Sequence, residues 1–296
     1  MIKRIGVHLG TAGGASNAAL RARAVGANTF QMFSSSPRMW RPATVDAEQA
    51  ARLRELRAAH NITPLVIHTS YLVNLCSQTE EVRTKSIACF RQEIERALTL
   101  GADYLVLHPG SWRGLTRHEG LRLAAESIER ALDGFPWQST SFTILIENTA
   151  GSEFSLGGSF DQVAELVWLL RTHAPVAVCL DTCHTHVAGY DIVTADGYED
   201  TMIQIEATVG FDTVRVWHCN DAKSARGSKL DRHQHIGKGT IGKEPFRRLL
   251  NDPRFAHSAF IAETPVDEDG NEASNVKALR ALSKQAKPGG TAGKSR

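Results

Sequence analysis

Six short apolar runs in this chain each end on a side chain able to bind a metal ion: LVIHTS, LVLHPG, ILIENT, VCLDTCH, VRVWHCND and FIAETP. The residues at those ends are His68, His108, Glu147, Asp181, His218 and Glu263. A residue just past a buried strand is held by a rigid scaffold and is expected to face solvent, a placement that suits chemistry better than packing. Mixed imidazole and carboxylate donors fit zinc, with a coordination position left open for water or substrate. Three further donors stand apart from the six. Asp231 and His233, in LDRHQH, are two residues apart, so an extended backbone aims both at one face. His184 follows Asp181 by three in DTCH and is within reach of the same point.

Each residue taken singly has an ordinary alternative. A lone His after a strand is commonly a hydrogen-bonded loop residue, Asp181–Thr182 fits a helix start, and Glu147–Asn148–Thr149 fits a polar turn. Nine such residues distributed over successive strand ends outweigh that alternative, since His60, His118, His173 and His257 fall in helical or loop stretches instead. His8 also ends a strand-like run. With no evident carboxylate partner, it is expected to support the ligands rather than join them. His186 and His235 flank the ligands and carry no assignment.

The elements that must position these groups are legible as alternation. Eight strand-like runs (RIGVHL, NTFQMF, PLVIH, YLVLH, TILIE, AVCLD, VRVWH, AFIAE) are interleaved with amphipathic stretches such as 46–60, 79–100, 117–133 and 160–173. The runs are near-continuously apolar, as strands buried on both faces should be. Eight β segments alternating with α segments predict an α/β fold, a single (β/α)8 TIM barrel with its site at the C-terminal ends of the strands. A doubly wound open sheet is the competitor, but GTAGGAS after the first strand lacks the dinucleotide-binding spacing. In a barrel, neighbours in sequence are neighbours in space. Strands three to five therefore converge His68, His108 and Glu147, and strands five to eight converge Glu147, Asp181, His218 and Glu263. Glu147, common to both sets, is the natural bridge between two cations. Asp231, His233 and His184 make a third set.

Size and composition agree with one domain. The chain has 296 residues and 42% hydrophobic content, enough for a barrel of about 250 residues. The barrel domain is expected over 1–286, and the last ten residues, KPGGTAGKSR (287–296), are expected to be a disordered basic tail. Lys and Arg total 34 against 32 Asp and Glu, so a polyanion would have to meet a local patch rather than the whole surface. The N-terminus MIKRIGVHLG is too short in its apolar part for a signal peptide, and no stretch has the length of a membrane span. A cytoplasmic protein with no membrane partner is expected. Five scattered cysteines, among them Cys89, Cys179 and Cys219 in apolar runs, read as reduced core thiols, and Cys179 and Cys183 lack C-x-x-C spacing.

The motifs resemble endonuclease IV, the family of zinc-dependent apurinic/apyrimidinic endonucleases of base excision repair. The likeness runs from about residue 4 to about residue 265. It is strongest in WHCNDAKSARGSKLDRH (217–233), with HTSYLVNL (68–75), LHPGS (107–111), IENTAG (146–151) and CLDTCH (179–184) in agreement. Cys76 and Ala177 depart from the usual family residues, both outside the ligands. The resemblance implies three zinc ions per chain, held by His68, His108, Glu147, Asp181, His184, His218, Asp231, His233 and Glu263. It implies cleavage of duplex DNA on the 5′ side of an abasic site, leaving a 3′-hydroxyl and a 5′-deoxyribose phosphate. Glu147 and Glu263 are the carboxylates able to orient water or take its proton.

Selection of a nucleotide that has no base cannot rest on a base edge, so wedge residues are expected. Tyr71 and Leu72 on the first ligand loop, and Arg38 in SSPRMWR, resemble residues the family inserts into the duplex. Lys223, Arg226, Lys229 and Arg232 put four cations in ten residues of a ligand-bearing loop. They are expected to contact backbone phosphates, making DNA binding steeply salt-dependent. A monomer suffices for this task. The rival reading is a metal-dependent sugar isomerase or epimerase of the same barrel type, for which Glu147, Asp181, His218 and Glu263 alone would serve. It leaves His184, Asp231, His233 and the basic loop without a role. A DNA-binding or scaffolding protein with vestigial metals is the other alternative, opposed by the intact ligand set.

Overall fold

The computed structural model describes residues 2–40, 44–137, 140–265 and 272–283. The expected tail at 287–296 lies outside them. All eight strand-like runs form parallel strands: β1 (Arg4–His8), β2 (Thr29–Phe33), β3 (Leu65–His68), β4 (Tyr104–Leu107), β5 (Thr143–Glu147), β6 (Val176–Asp181), β7 (Val214–His218) and β10 (Ala259–Ala262). They close in the order β1-β10-β7-β6-β5-β4-β3-β2. Between β7 and β10 two short strands, β8 (Asp221–Ala222) and β9 (His233–Gln234), pair antiparallel above the barrel.

The helices form the outer layer. Four were legible as amphipathic stretches: α2 (Ala47–His60), α3 (Glu80–Leu100), α4 (Arg117–Leu132) and α5 (Phe160–Leu170). Their ends follow capping chemistry. Asp46 accepts from the Gln49 amide, Thr116 and Glu119 form a reciprocal capping box, and Gly101 closes α3 in the left-handed region at φ 70°. The other helices are α1 (Ala15–Ala24), α6 (Thr182–Ala188), α7 (Ala195–Thr208), α8 (Lys243–Asn251) and α9 (Glu272–Leu282). Among the described residues no helix is long and apolar enough to cross a membrane.

Two apolar clusters hold the molecule together. The larger packs helix faces such as Phe90, Ile94, Ile128 and Leu166 on the outward residues of the strands. The smaller fills the barrel interior with Val66, Val106, Leu145, Ala177, Cys179, Val216, Ala259 and Ile261. That second set explains where the donors point. Strand side chains alternate faces, so residues two further along share the interior face. Val66 is followed by His68, Val106 by His108, Leu145 by Glu147, Cys179 by Asp181, Val216 by His218 and Ile261 by Glu263. The apolar interior and the polar mouth are therefore successive layers of the same inward-facing rows.

Candidate metal centre at the barrel mouth

The inward rows correct one expectation. Glu147, Asp181, His218 and His68 do not face solvent: the first three are 0% exposed and His68 3%, because each is the last residue of its strand and still lies inside the barrel wall. Only the donors beyond or above the strands are partly open, with Asp231 the most exposed.

The nine donors predicted from the sequence come together in three adjacent groups. In the first, His68 Nε2 and His108 Nε2 lie 3.3 and 3.2 Å from Glu147 Oε2. In the second, His218 Nδ1 is 3.0 Å from both Glu147 Oε1 and Glu263 Oε2, with Asp181 completing the set. In the third, Asp231 lies 3.2 Å from His184 Nε2 and 3.1 Å from His233 Nε2. The two oxygens of Glu147 thus belong to two groups. Asp181 Oδ2, at 3.7 Å from His233 Nε2, adjoins the third.

Backbone carbonyls set which ring nitrogen points inward. His68 donates from Nδ1 to the Thr69 carbonyl at 2.8 Å, His184 to that of Asn148 at 2.9 Å, and His233 to that of Glu263 at 3.0 Å. Each keeps Nε2 for the centre. Anchoring the second nitrogen in this way is the usual support of an imidazole that binds a cation. Two buried polar atoms facing the centre, Glu147 Oε2 and His233 Nε2, have no hydrogen-bond partner. Each faces groups of its own donor set, Glu147 Oε2 the imidazoles of His68 and His108 and His233 Nε2 the carboxylate of Asp231, and a cation in either set would take up the unused lone pairs. The residues fit a set of divalent ions with nitrogen and oxygen donors.

The electrostatics point the same way. Burial would push the Glu147 carboxyl up, but His218 and His108 outweigh it and hold it well below the carboxylate range. Glu263 is likewise held down against burial, chiefly by His218 and His8. Burial opposes the charge on His218 and His184, which nearby carboxylates nonetheless raise well above the usual imidazole value. His233 is raised to about 9 against burial by Asp181 and Asp231. Without a cation, protons on these rings balance four carboxylates. The thiols near the groups are not competing donors: burial pushes Cys179 up to about 12, and Cys183 higher still.

Several ordinary roles coexist with the chemical ones. Asp181 is the N-cap of α6, accepting from the His184 amide at 2.9 Å, and Asn148 accepts from the Asp181 amide at 2.7 Å. His8 needs correction. It lies 3.7 Å from Glu263, because barrel closure sets the first strand beside the last. Its imidazole is lowered by burial, which the contact with Glu263 only partly offsets. His235 accepts or donates at 3.0 Å with Asn275 on α9, and His186 meets Thr240 at 3.3 Å.

Sequence reasoning missed the buried polar residues behind the donors. Asn220 donates to Asp181 Oδ2 at 2.5 Å and accepts from the Glu263 amide at 2.7 Å. Thr182 exchanges hydrogen bonds with the Asn220 backbone. Asp221 accepts from four backbone amides, those of Ala222, Gly239, Ile241 and Gly242, and braces the connection after β9. Gly239 is required there, since a Cβ would stand 2.3 Å from the Ala222 carbonyl oxygen. Gln31 was detectable as the one polar residue in the middle of FQMF.

The mouth opens into a cavity of about 640 Å³ lined by His8, Phe33, Tyr71, His108, Asp231 and Glu263 among others. Tyr71 is 68% exposed and stands edge-on to Phe33 at 5.2 Å. Leu72 is half-buried and Arg38 exposed, and Ser70 ties their loops together by donating to the Pro37 carbonyl at 2.7 Å. Lys223, Arg226, Lys229 and Arg232 are all exposed. Arg226 is already paired with Asp191 at 2.7 Å. Their loop is fastened to α6 by Gly227 and Lys229 amides donating to the His186 and Val187 carbonyls, which ties it to His184.

Fold and donors together define a TIM barrel whose mouth gathers candidate metal-binding side chains beside an open, partly cationic rim. Residues 19–285 match the family model described as xylose isomerase-like TIM barrel. The chain is 47% identical to a probable endonuclease 4 of Solibacter usitatus over 281 residues, covering 94% of this chain and 96% of that protein. It is 40% identical to the probable endonuclease 4 of Chloroflexus aurantiacus, covering 94% and 98%. The crystal structure of endonuclease IV from Thermus thermophilus superposes with a TM-score of 0.83 at 38% identity, over 94% of this chain and 98% of that one. The chain belongs to the endonuclease IV family. A D-psicose 3-epimerase, at 16% identity and a TM-score of 0.61, shares the fold alone.

Proposed function

We propose that this protein is a DNA repair endonuclease that hydrolyses the phosphodiester bond 5′ to an abasic site, acting as a monomer with three zinc ions. The first zinc would be held by His68, His108 and Glu147, the second by Glu147, Asp181, His218 and Glu263, and the third by His184, Asp231 and His233. Zinc bound to these donors supplies charge neutralisation at phosphorus and makes water acidic enough to lose a proton near neutral pH, its pKa falling to about 7.

The chain's own residues supply the rest. Glu147 or Glu263, the carboxylates at the centre, would orient the attacking water or accept its proton. Water oxygen bonds to phosphorus, the bond from phosphorus to the preceding nucleotide's 3′-oxygen breaks, and that oxygen leaves with the bonding pair and takes a proton from solvent in the open mouth to become the hydroxyl. The products are a 3′-hydroxyl and a 5′-deoxyribose phosphate. Exposed Tyr71, with Leu72 and Arg38, would wedge the duplex where the missing base has already weakened stacking. Exposed Lys223, Lys229 and Arg232 would meet phosphates, and Arg226 would do so only by sharing Asp191.

The observation that carries this reading is the third donor group. A four-donor centre built on Glu147, Asp181, His218 and Glu263 would suffice for a sugar epimerase, and His184, Asp231 and His233 would then have no reason to converge beside it. The kinship with endonuclease 4 proteins supports the same choice. The test is incubation with duplex DNA carrying one stable abasic analogue, with and without chelator, alongside measurement of bound metal. Chelator-sensitive incision 5′ to the lesion is expected. No incision, or fewer than two metal ions per chain, would sink the reading.

A further inference from the structure

Strand β2 sends no cation donor into the mouth, yet it places a fully buried amide at the centre's floor. The Gln31 side chain touches three groups at once. Its oxygen lies 2.8 Å from His218 Nε2, and its nitrogen lies 3.0 Å from His8 Nδ1 and in a short contact with Glu263 Oε1. Only one orientation of the amide satisfies all three. An ionised carboxylate accepts and never donates, so Glu263 must receive an N–H. The amide oxygen then faces His218 and can only accept, so Nε2 of His218 carries the proton. This leaves the lone pair of His218 on Nδ1, the nitrogen 3.0 Å from Glu147 Oε1 and Glu263 Oε2.

His218 is thereby the exception among the donors. His68, His184 and His233 are anchored through Nδ1 on backbone carbonyls, whereas His218 is anchored through Nε2 on a side chain. The same amide holds Oε1 of Glu263, leaving Oε2 turned to His218. Two donors of one group, from strands that flank neither side of β2, are thus aligned by one residue. We propose that Gln31 is a positioning residue of the middle cation site, fixing the ring orientation of His218 and the carboxylate of Glu263 through a single amide. This rests on the reading of the mouth as a three-zinc centre.

The experiment compares zinc-loaded wild-type protein with Gln31→Met, which keeps the volume and removes the amide, and with Leu166→Ala, a cavity variant in the outer helical layer. Each is mixed with a chromogenic zinc chelator and the release of every equivalent is timed, with melting of the metal-stripped forms recorded in parallel. One equivalent should leave Gln31→Met roughly 10–100-fold faster than wild type, the range typical of losing a group that orients a ligand. The other equivalents should leave at wild-type rates, and Leu166→Ala should release all of them at wild-type rates despite its lower melting temperature. Release from Gln31→Met no faster than from Leu166→Ala overturns the proposal. A second measurement needs no variant: nitrogen-15 NMR of the zinc-loaded wild type should find the His218 proton on Nε2, within Overhauser distance of Gln31, and a proton on Nδ1 would overturn it. Wild-type protein that takes up no zinc sinks the three-zinc reading first, and is distinguished from the other outcomes before any variant is made.

Discussion

Asp181 divides its two oxygens between folding and chemistry: Oδ1 caps helix α6, and Oδ2 faces Asn220 and the approach to His233. The helix-start reading of DTCH holds and engages Oδ1, which leaves Oδ2 for the ligand role proposed above. His233 is a cleaner probe of the third group. Its ring hangs on a single carbonyl bond to Glu263, its Nε2 faces Asp231 at 3.1 Å, and it is partly open to the cavity. His233→Ala should therefore slow single-turnover incision of abasic duplex by at least the roughly 10–100-fold seen when groups supporting a metal are lost. Affinity for the same duplex, read by fluorescence anisotropy, should change by no more than about twofold, because a group needed only in the transition state contributes little to ground-state binding. Equal losses in the two assays would argue that the third group serves binding alone.

At the scale of elements, the weakest-looking piece is the β8–β9 ribbon, two residues a strand, which nonetheless carries His233. Asp221 compensates, gathering four amides from its own strand and from the segment between β9 and α8. Hydrogen bonds to a charged acceptor contribute about 1.5–3 kcal/mol each, and donors left buried without one carry a desolvation penalty. Asp221→Ala should destabilise the metal-free protein by about 3 kcal/mol or more in chemical denaturation. It should also loosen zinc at the third group before the others, and a loss under about 1 kcal/mol would contradict the bracing role. This element also marks the limit of what the sequence discloses. The eight barrel strands were legible because each is an apolar run buried on both faces, six of the nine donors because each ends such a run, and His184, Asp231 and His233 by their spacing to Asp181 and to one another. Asn220 and Asp221 carry no such local signature, and Gln31 stands out only as a polar residue inside an apolar run, its partner Glu263 lying 232 residues away. The carboxylate neighbour of His8 is hidden in the sequence for the same reason, since it exists only once the first and last strands meet.

Across the whole molecule, the mouth is a reservoir of opposite charge whose balance depends on pH and on bound cations. In the metal-free protein, His233 is raised from 6.5 to about 9, and His68, His184 and His218 are raised as well. Groups whose folded value is raised stabilise fully below about 6.5 and lose that contribution as pH climbs through the folded value. Glu147, Glu263 and Asp231 are depressed from 4.5, 4.5 and 3.8, so their contribution is present above those values and disappears as pH falls below them. Both contributions coexist between about pH 4.5 and 6.5, where the metal-free protein should be most stable, and its melting temperature should decline toward about pH 9. On the proposed reading zinc would have the opposite alkaline limb, because it would compete with protons for the same imidazole nitrogens and bind more tightly as they deprotonate. The difference in melting temperature between zinc-loaded and chelator-treated protein should accordingly widen steadily from about pH 6 to about pH 9, as binding to the folded state alone requires. A scanning fluorimetry series over that range checks it. A metal-free melting temperature that stays flat while the zinc-dependent gap is constant would mean that the imidazoles of the mouth do not carry these protons, and that the cations are held by other groups.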